Sequence, residues 1–222
     1  MMNPKKASEL VLVFDEELMF GFQGLRADKD KRSLLYEGVS SETRDYDWFY
    51  EVLKRSYWMP RGTVENNEHY KQIIPYVVLR CNGKVFSYCR AGSEDRLSGL
   101  ISIGIGGHLN LRDYQGVLTQ VPPNGAKREF WEEVYLEDGL TSDHMLLDSS
   151  FSNKPYLLYD PKDAVGQVHF GVVYIIHISE SVADKLRMRE EGVNVEWRSI
   201  DELRDLDDQL EGWSRLVVSE CL

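Results

Sequence analysis

The clearest hydrophobic pattern in the chain is a pair of short runs separated by Asn82-Gly83. Residues 73–81 are apolar, and residues 84–90 follow as a second strand-like run. Because Asn-Gly is the preferred sequence of a two-residue type I′ turn, the pattern predicts a β-hairpin. In this register the thiols of Cys81 and Cys89 lie far apart along the ladder, which excludes a disulfide between them.

Other apolar runs predict the remaining elements. Strands are predicted at 9–14, 97–105, 155–160, 167–178 and 193–197, and helices at 47–57 and 125–138, with a C-terminal helix opened by the capping box Ser199–Glu202. Residues 61–72 are polar and predict a linker, and residues 21–47 have no firm periodicity. The order of strands and helices indicates an α+β layered domain.

Composition narrows the class of protein. A chain of 222 residues with 42% hydrophobic and 28% charged residues is typical of a globular protein. No apolar run approaches the roughly 18 residues that a membrane helix needs, and the N-terminus does not resemble a secretory signal, so we expect a cytoplasmic protein. The net charge of −11 argues against stable nucleic-acid binding. Three cysteines predict reduced thiols.

The predicted helix at 125–138, for which Asn124 is the expected N-cap, carries three carboxylates on one face. Glu129, Glu132 and Glu133 stand at i, i+3 and i+4, a spacing at which like charges repel. Such a cluster is either a solvated acidic surface or a site for a hard cation such as Mg²⁺. The strand before it ends in Gly106-Gly107, which permits a close backbone approach.

Together these segments resemble the Nudix box. That pattern is a glycine, five residues, a glutamate, seven residues, and then Arg-Glu-apolar-any-Glu-Glu-any-Gly-apolar. Gly107 matches the leading glycine, residues 128–134 match the core, and Leu136 matches the final apolar position.

Three positions depart from the pattern. Asp113 stands where the family has its first glutamate, and Tyr135 replaces the last glycine. About seven residues are inserted between Gly107 and Arg128, within 114–124. Without the glycine we expect the helix to continue and to stop near Gly139.

The resemblance implies a fold and a domain division. The fold would be an α/β/α sandwich with a mixed central sheet, formed by residues 73–222, with residues 1–72 as an N-terminal extension packing on this core. Within the superfamily, residues 102–108 and 168–171 are similar to a MutT-like group of predicted phosphoesterases.

The resemblance also implies a reaction, the metal-dependent hydrolysis of a phosphoanhydride in a nucleoside diphosphate-linked or similar small molecule. Mg²⁺ or Mn²⁺ would be held by the three box glutamates and the carbonyl of Gly107, with Arg128 orienting the cluster and pairing with Asp113 where the loop allows. Either a box glutamate or Glu196 would be the general base. Substrate-binding candidates are Arg90, Arg96 and His108.

Each candidate also has a structural interpretation. Arg90 and Arg96 match ordinary surface arginines, and His108 matches a loop histidine without a role. His169 and His177 lie in an apolar run typical of core histidines. The aromatic residues near the N-terminus are expected to pack rather than to stack on a base; they are Tyr46, Trp48, Phe49, Tyr50, Tyr57 and Trp58.

Two other functions fit the same resemblance. One is a Nudix-like binding or sensor module that holds a nucleotide without cleaving it. The other is an isomerase of the isopentenyl-diphosphate type, which the cysteine contexts disfavour. A homodimer, formed through the N-terminal segment, is an arrangement that the sequence leaves open.

Overall fold

The structure is a computed structural model that describes residues 4–20, 38–40, 43–90, 99–137, 150–151, 154–162, 164–190 and 193–222. The chain divides into two compact units, and each is built from three separate stretches of sequence. The first unit contains 1–75, 107–125 and 155–173; the second contains 76–106, 126–154 and 174–222. The division into an extension and a core domain at residue 72 stays a prediction.

The described strands are β1 (Leu10–Asp15), β2 (Gly38–Ser40), β3 (Tyr57–Pro60), β4 (Tyr70–Cys81), β5 (Lys84–Cys89), β6 (Ile101–Ser102), β7 (Gly104–Gly106), β8 (Val134–Leu136), β9 (Tyr156–Tyr159), β10 (His169–His177), β11 (Leu186–Met188) and β12 (Val195–Ser199). The described helices are α1 (Pro4–Ala7), α2 (Glu17–Phe20), α3 (Thr43–Arg55), α4 (Arg61–Val64), α5 (Val121–Glu133), α6 (Glu180–Ala183), α7 (Ile200–Asp205) and α8 (Gly212–Glu220). None of these helices combines the length and the apolar character that crossing a bilayer requires.

In the first unit, β1 is the centre of one group of strands. It pairs antiparallel with β3 and with the beginning of β4, where Asp15 lies opposite Tyr70. The side chains of Val11 and Val13 are buried with Val64 of α4. The predicted linker at 61–72 is therefore wrong, because its ends form α4 and the start of β4. A polar sequence is held in regular structure here by pairing with a distant strand.

The aromatic residues of α3 form a cluster in the same unit. Trp48 and Phe49 each lie with their ring centroids 5.7 Å from that of Phe170 in β10. This confirms that these two aromatic rings pack in the core. The helix ends at Arg55, earlier than predicted, because Tyr57–Pro60 pairs with β1 as β3.

In the second unit the predicted hairpin is confirmed. Cys81 lies opposite Lys84, and Asn82 and Gly83 have φ of 48° and 77°, the positive values that a type I′ turn requires. β5 also pairs with β6 and with β12, and β4 pairs with β7. All three cysteines are free thiols.

The strand predicted at 97–105 is divided in the structure. β6 pairs with β5, while β7 pairs with β4, and Ile103 between them is fully buried. At the other end of the unit, α7 begins after the predicted capping box. The Ser199 hydroxyl accepts from the Glu202 amide, and the Glu202 carboxylate accepts from the Ser199 amide.

Candidate active site

The helix that carries the acidic residues begins at Val121, earlier than predicted. Asn124 is therefore not its N-cap; it lies inside the first turns and donates from Nδ2 to the carbonyl of Asp113 at 2.9 Å. The next residue, Gly125, lies so close to Leu109 that a Cβ there would stand 2.1 Å from its Cδ2. Any side chain at this point of the helix, even that of alanine, would therefore require Leu109 to move.

The three glutamates lie on one helix, as predicted, and occupy the last turns of α5. Glu129 is largely buried, with 13% of its side chain exposed, and Glu132 is half-exposed. The Nη1 of Arg128 lies 2.7 Å from Oε1 of Glu129 and 3.0 Å from Oε2 of Glu132. One guanidinium therefore holds two of the three carboxylates and offsets part of their repulsion.

The helix ends at Glu133 because a distant segment supplies donors to its last carbonyls. The amide of Arg189 donates to the carbonyl of Glu133 at 2.8 Å, and its Nε donates to that of Trp131 at 3.0 Å. Val134–Leu136 then pairs with β11. The predicted continuation to Gly139 is wrong, and Gly139 itself lies outside the described residues.

The carboxyl of Glu133 lies in an environment that disfavours its charge. Burial raises the pKa of its carboxyl, and the nearby carboxylates of Glu190 and Glu132 raise it further. The positive charge of Arg90 acts in the opposite direction. A half-buried carboxyl among other carboxyls is an environment in which a divalent cation binds favourably.

Arg90 is anchored by a buried acid that the sequence did not single out. Its Nη1 lies 3.3 Å from Oε2 of Glu211, a residue only 5% exposed. The hydroxyls of Tyr76, Ser102 and Ser214 surround the other oxygen of Glu211, at 2.7, 2.6 and 3.1 Å. This network fixes Arg90 within the second unit. Arg96, the other predicted phosphate contact, lies outside the described residues.

Gly107 and His108 belong to the first unit. The Nε2 of His108 lies 3.4 Å from the Nε2 of His169. Burial, followed by the charges of Arg61, His169 and Lys6, lowers the pKa of His108 well below its usual range. The core prediction is right for His169, which is buried, and wrong for His177, which is exposed at the end of β10.

The sequence of this chain is similar to that of a bacterial protein. No protein-family profile matches the chain. The protein YmaB of Bacillus subtilis (strain 168) is 28% identical over 218 residues, which are 96% of this chain and 97% of YmaB.

Among solved structures, Tm1382, provisionally described as a Nudix hydrolase, superposes with a TM-score of 0.68 and 22% identity over 95% of this chain and 97% of its own. The chain has the Nudix fold. A bifunctional NMN adenylyltransferase/ADP ribose pyrophosphatase from Francisella tularensis, in complex with AMP and a Mn ion, superposes with a TM-score of 0.51 and 14% identity. That match covers 67% of this chain and 40% of the bifunctional protein.

The Nudix fold confirms the predicted α+β class. Residues 128–133, which resemble the core of the Nudix box, lie in one helix within one compact unit. The roles of the box residues, of Gly107 and of the substrate-binding candidates stay predictions.

Proposed function

We propose that this protein is a Nudix-type hydrolase that cleaves a phosphoanhydride bond with the help of Mg²⁺ or Mn²⁺. The observation that carries the proposal is the arrangement of Arg128, Glu129, Glu132 and Glu133 in the last turns of one helix. Their spacing reproduces the core of the Nudix box on a Nudix fold.

The donor set fits a hard divalent cation. The three side chains offer only carboxylate oxygens, which are the ligands that Mg²⁺ and Mn²⁺ prefer. Glu129 and Glu133 are partly withdrawn from water, and the raised pKa of Glu133 marks a site where negative charge is under-compensated. When bound, such an ion neutralises a diphosphate and lowers the pKa of a coordinated water.

Two arginines would then position the carboxylates and the substrate. Arg128 contacts Glu129 and Glu132 and fixes the direction in which their carboxylates point. Arg90, held by Glu211, presents a fixed positive charge suited to a phosphate. The general base stays open between a box glutamate and Glu196, which pairs with Arg198 at 2.7 Å.

The substrate class is proposed from the same chemistry. A cation site beside an arginine suits a small molecule with two linked phosphates, such as a nucleoside diphosphate joined to another group. The Francisella tularensis protein, 40% of which superposes on this chain, is described as a bifunctional NMN adenylyltransferase/ADP ribose pyrophosphatase. ADP-ribose is therefore a sensible first member of a substrate panel.

The isomerase alternative needs a reactive cysteine. Burial raises the pKa of the Cys81 thiol, and burial also raises that of Cys221 to about 12. A raised thiol pKa leaves little thiolate at neutral pH, so neither of these two cysteines is prepared for catalysis.

The test is a panel of nucleoside diphosphate compounds incubated with the protein and Mg²⁺ or Mn²⁺, with products separated by ion-exchange chromatography. We expect cleavage of at least one compound, none with EDTA, and a loss of at least about a hundredfold in the double variant E132Q/E133Q. The control is E137Q, because Glu137 is an exposed acid four residues beyond the end of the helix.

Each outcome distinguishes between the proposals. If every compound survives but one binds, as seen by calorimetry, the chain is a binding or sensor module. If cleavage persists in E132Q/E133Q, the assignment of the site to these glutamates is wrong.

A further inference from the structure

A second group of metal-binding side chains lies in the first unit, apart from the box glutamates in sequence and in donor chemistry. It consists of Glu65, His108 and His169, each of which offers one ligand atom, and these atoms all lie within 4.8 Å of one another. Glu65 is half-buried after α4, His108 follows β7, and His169 begins β10. The hydrolase proposal gives Glu65 and His169 no role.

The tautomer of His169 is fixed by the backbone. Its Nδ1 lies 2.7 Å from the carbonyl oxygen of Val165, which can only accept a hydrogen bond. Nδ1 therefore carries the proton, and in the neutral ring Nε2 is unprotonated and has a lone pair that can coordinate a metal ion. A histidine ligand whose other nitrogen donates to a backbone carbonyl is the usual arrangement at protein metal sites.

The separation of the two imidazoles fits a shared ion. Two nitrogens that each lie about 2.0–2.1 Å from a tetrahedral Zn²⁺ stand roughly 3.3 Å apart. The observed distance between Nε2 of His108 and Nε2 of His169 is 3.4 Å. This distance is longer than a good nitrogen-donor hydrogen bond, about 2.7–3.2 Å.

Glu65 supplies the charge that the two neutral rings lack. One of its oxygens accepts from Nε of Arg61 at 3.0 Å, which holds the carboxylate in place. Arg61 also approaches Glu9, at 4.0 Å, so that this cation is shared between two acids. The set is two imidazoles and one carboxylate on a framework that already fixes their orientation.

We propose that Glu65, His108 and His169 bind a divalent transition-metal ion of the zinc class. Imidazole nitrogen suits Zn²⁺ and its neighbours, whereas Mg²⁺ prefers oxygen ligands alone, so the two sites would hold different ions. Three protein ligands leave a coordination position for water. The ion would tie together three segments of the first unit that are distant in sequence, and it would fix the backbone beside Gly107.

This role competes with the phosphate contact predicted for His108. A nitrogen bound to a metal cannot also donate to a phosphate, so Nε2 of His108 can serve only one of them. The metal proposal does not depend on the hydrolase activity, and its test measures metal binding directly.

The experiment uses Co²⁺ as a spectroscopic substitute for Zn²⁺. Chelator-treated protein is titrated with Co²⁺. The visible absorption of the bound Co²⁺ shows whether the ion has four or five ligands that include imidazole nitrogens. We expect strong bands in the parent and in the triple variant E129Q/E132Q/E133Q, because the bands arise outside the box. We expect their loss in H108A and at least a tenfold weaker Co²⁺ affinity in E65Q.

E65Q should stay folded, because Glu65 is partly exposed and a glutamine can still accept a hydrogen bond from Arg61. Weaker Co²⁺ binding by E65Q is therefore not explained by unfolding. H69A is the matched control, because His69 is an exposed histidine of the same unit. Zn²⁺ at about a hundredfold excess over its Kd should raise the Tm of the parent and of H69A by roughly 5–10 °C, but not that of H108A. Absence of the bands in the parent, or unchanged bands in H108A, would overturn the proposal.

Discussion

Glu133 combines two properties that are usually in conflict, since its charge is unfavourable in the isolated fold and is required by the proposed reaction. Burial and the neighbouring Glu190 and Glu132 raise the pKa of its carboxyl. The raised pKa favours the folded state below the pKa of the unfolded chain, and this contribution is lost as the pH rises through the folded pKa. At neutral pH the ionised group therefore destabilises the fold.

We expect E133Q to unfold at a slightly higher temperature than the parent at pH 7.5 in EDTA, while the proposed hydrolase activity is lost. The gain should be below about 1 kcal/mol because the half-buried group is partly screened by water. At about pH 3.5, where the parent carboxyl is protonated, the two Tm values should coincide. Thermal unfolding followed by circular dichroism measures the Tm at each pH. E137Q is the control, and its Tm should not rise above that of the parent. A less stable E133Q at pH 7.5 would contradict the electrostatic argument.

Gln72 is a second residue whose side chain opposes stability. It is fully buried in β4, and neither atom of its amide has a hydrogen-bond partner among the described residues. An unsatisfied buried polar group costs about 1–3 kcal/mol. The volume-preserving change Q72M should therefore raise the free energy of unfolding by about 1–2 kcal/mol.

Urea unfolding measures this change as a higher midpoint with an unchanged m-value. The adjacent Lys71 is the matched control, because it is equally buried but its Nζ donates to the carbonyls of Glu68 and Gln167. K71M should destabilise the protein, since two carbonyls lose their donor. If Q72M also destabilises the protein, the Gln72 amide has a hydrogen-bond partner and does not oppose stability.

The sequence singles out residues as candidates where the signal is local. The box glutamates and Arg128 became candidates because their spacing on one helix is visible in six consecutive letters. The group of Glu65, His108 and His169 was not found, because its members are far apart in the chain. Glu211 was missed for the same reason, since its partners come from β4, β6 and α8.

The same distinction holds for elements. The turn of the hairpin was predicted to the residue because Asn82 and Gly83 set it by themselves, whereas the first strand begins at Tyr70 rather than at Ile73. The end of α5 was wrong because it is set by Arg189, a residue of a distant segment. The strand β3 was not predicted, and its first residue, Tyr57, was assigned to the preceding helix, because only the pairing with β1 makes this segment a strand. Local propensity decided the first case, and tertiary pairing decided the other two.

The capping box of α7 is a local element whose contribution depends on pH. Hydrogen bonds from the backbone and side chain of Ser199 lower the pKa of Glu202. A lowered pKa contributes stability above the unfolded pKa, and that stability is lost as the pH falls through the folded pKa. S199A should therefore lower the Tm by a few degrees at pH 7.

The difference in Tm between parent and S199A should narrow as the pH is lowered from 5 to 3, because protonated Glu202 no longer accepts from Ser199. Thermal unfolding across this range measures it. S219A is a control at the far end of α8, where the hydroxyl only donates to the carbonyl of Leu216. A difference in Tm that does not change with pH would show that Glu202 does not contribute.

At the scale of the whole chain, compactness does not follow sequence order. Residues 1–75 share a unit with 107–125 and 155–173, so both units gather stretches from either half of the sequence. Periodicity predicts elements but not which of them assemble together, since assembly depends on pairings between residues far apart in the chain. The fold class could still be predicted, because the resemblance of the Nudix box supplied the arrangement that periodicity lacked.

The charge of the whole molecule decides which anions it can hold. The chain has 37 acidic and 26 basic residues, and many described arginines other than Arg90 already pair with acids, among them Arg61, Arg128, Arg187, Arg198, Arg204 and Arg215. A protein that binds nucleic acid through phosphate contacts needs basic side chains free for those phosphates. A small diphosphate can instead be held by one cation and one or two arginines.

We therefore expect no binding of duplex DNA or of single-stranded RNA, even at about 50 mM salt, where phosphate contacts are strong. Fluorescence anisotropy of labelled 20-mers measures this, with and without Mg²⁺. The positive control is a small diphosphate cleaved by the same preparation, which shows that the protein is folded and able to accept anions. Binding that weakens steeply with salt would reveal a basic surface and contradict the argument. Binding that appears only with Mg²⁺ and disappears in E132Q/E133Q would instead make a nucleic-acid end the substrate, because the same carboxylates would then hold the cation that the polymer needs.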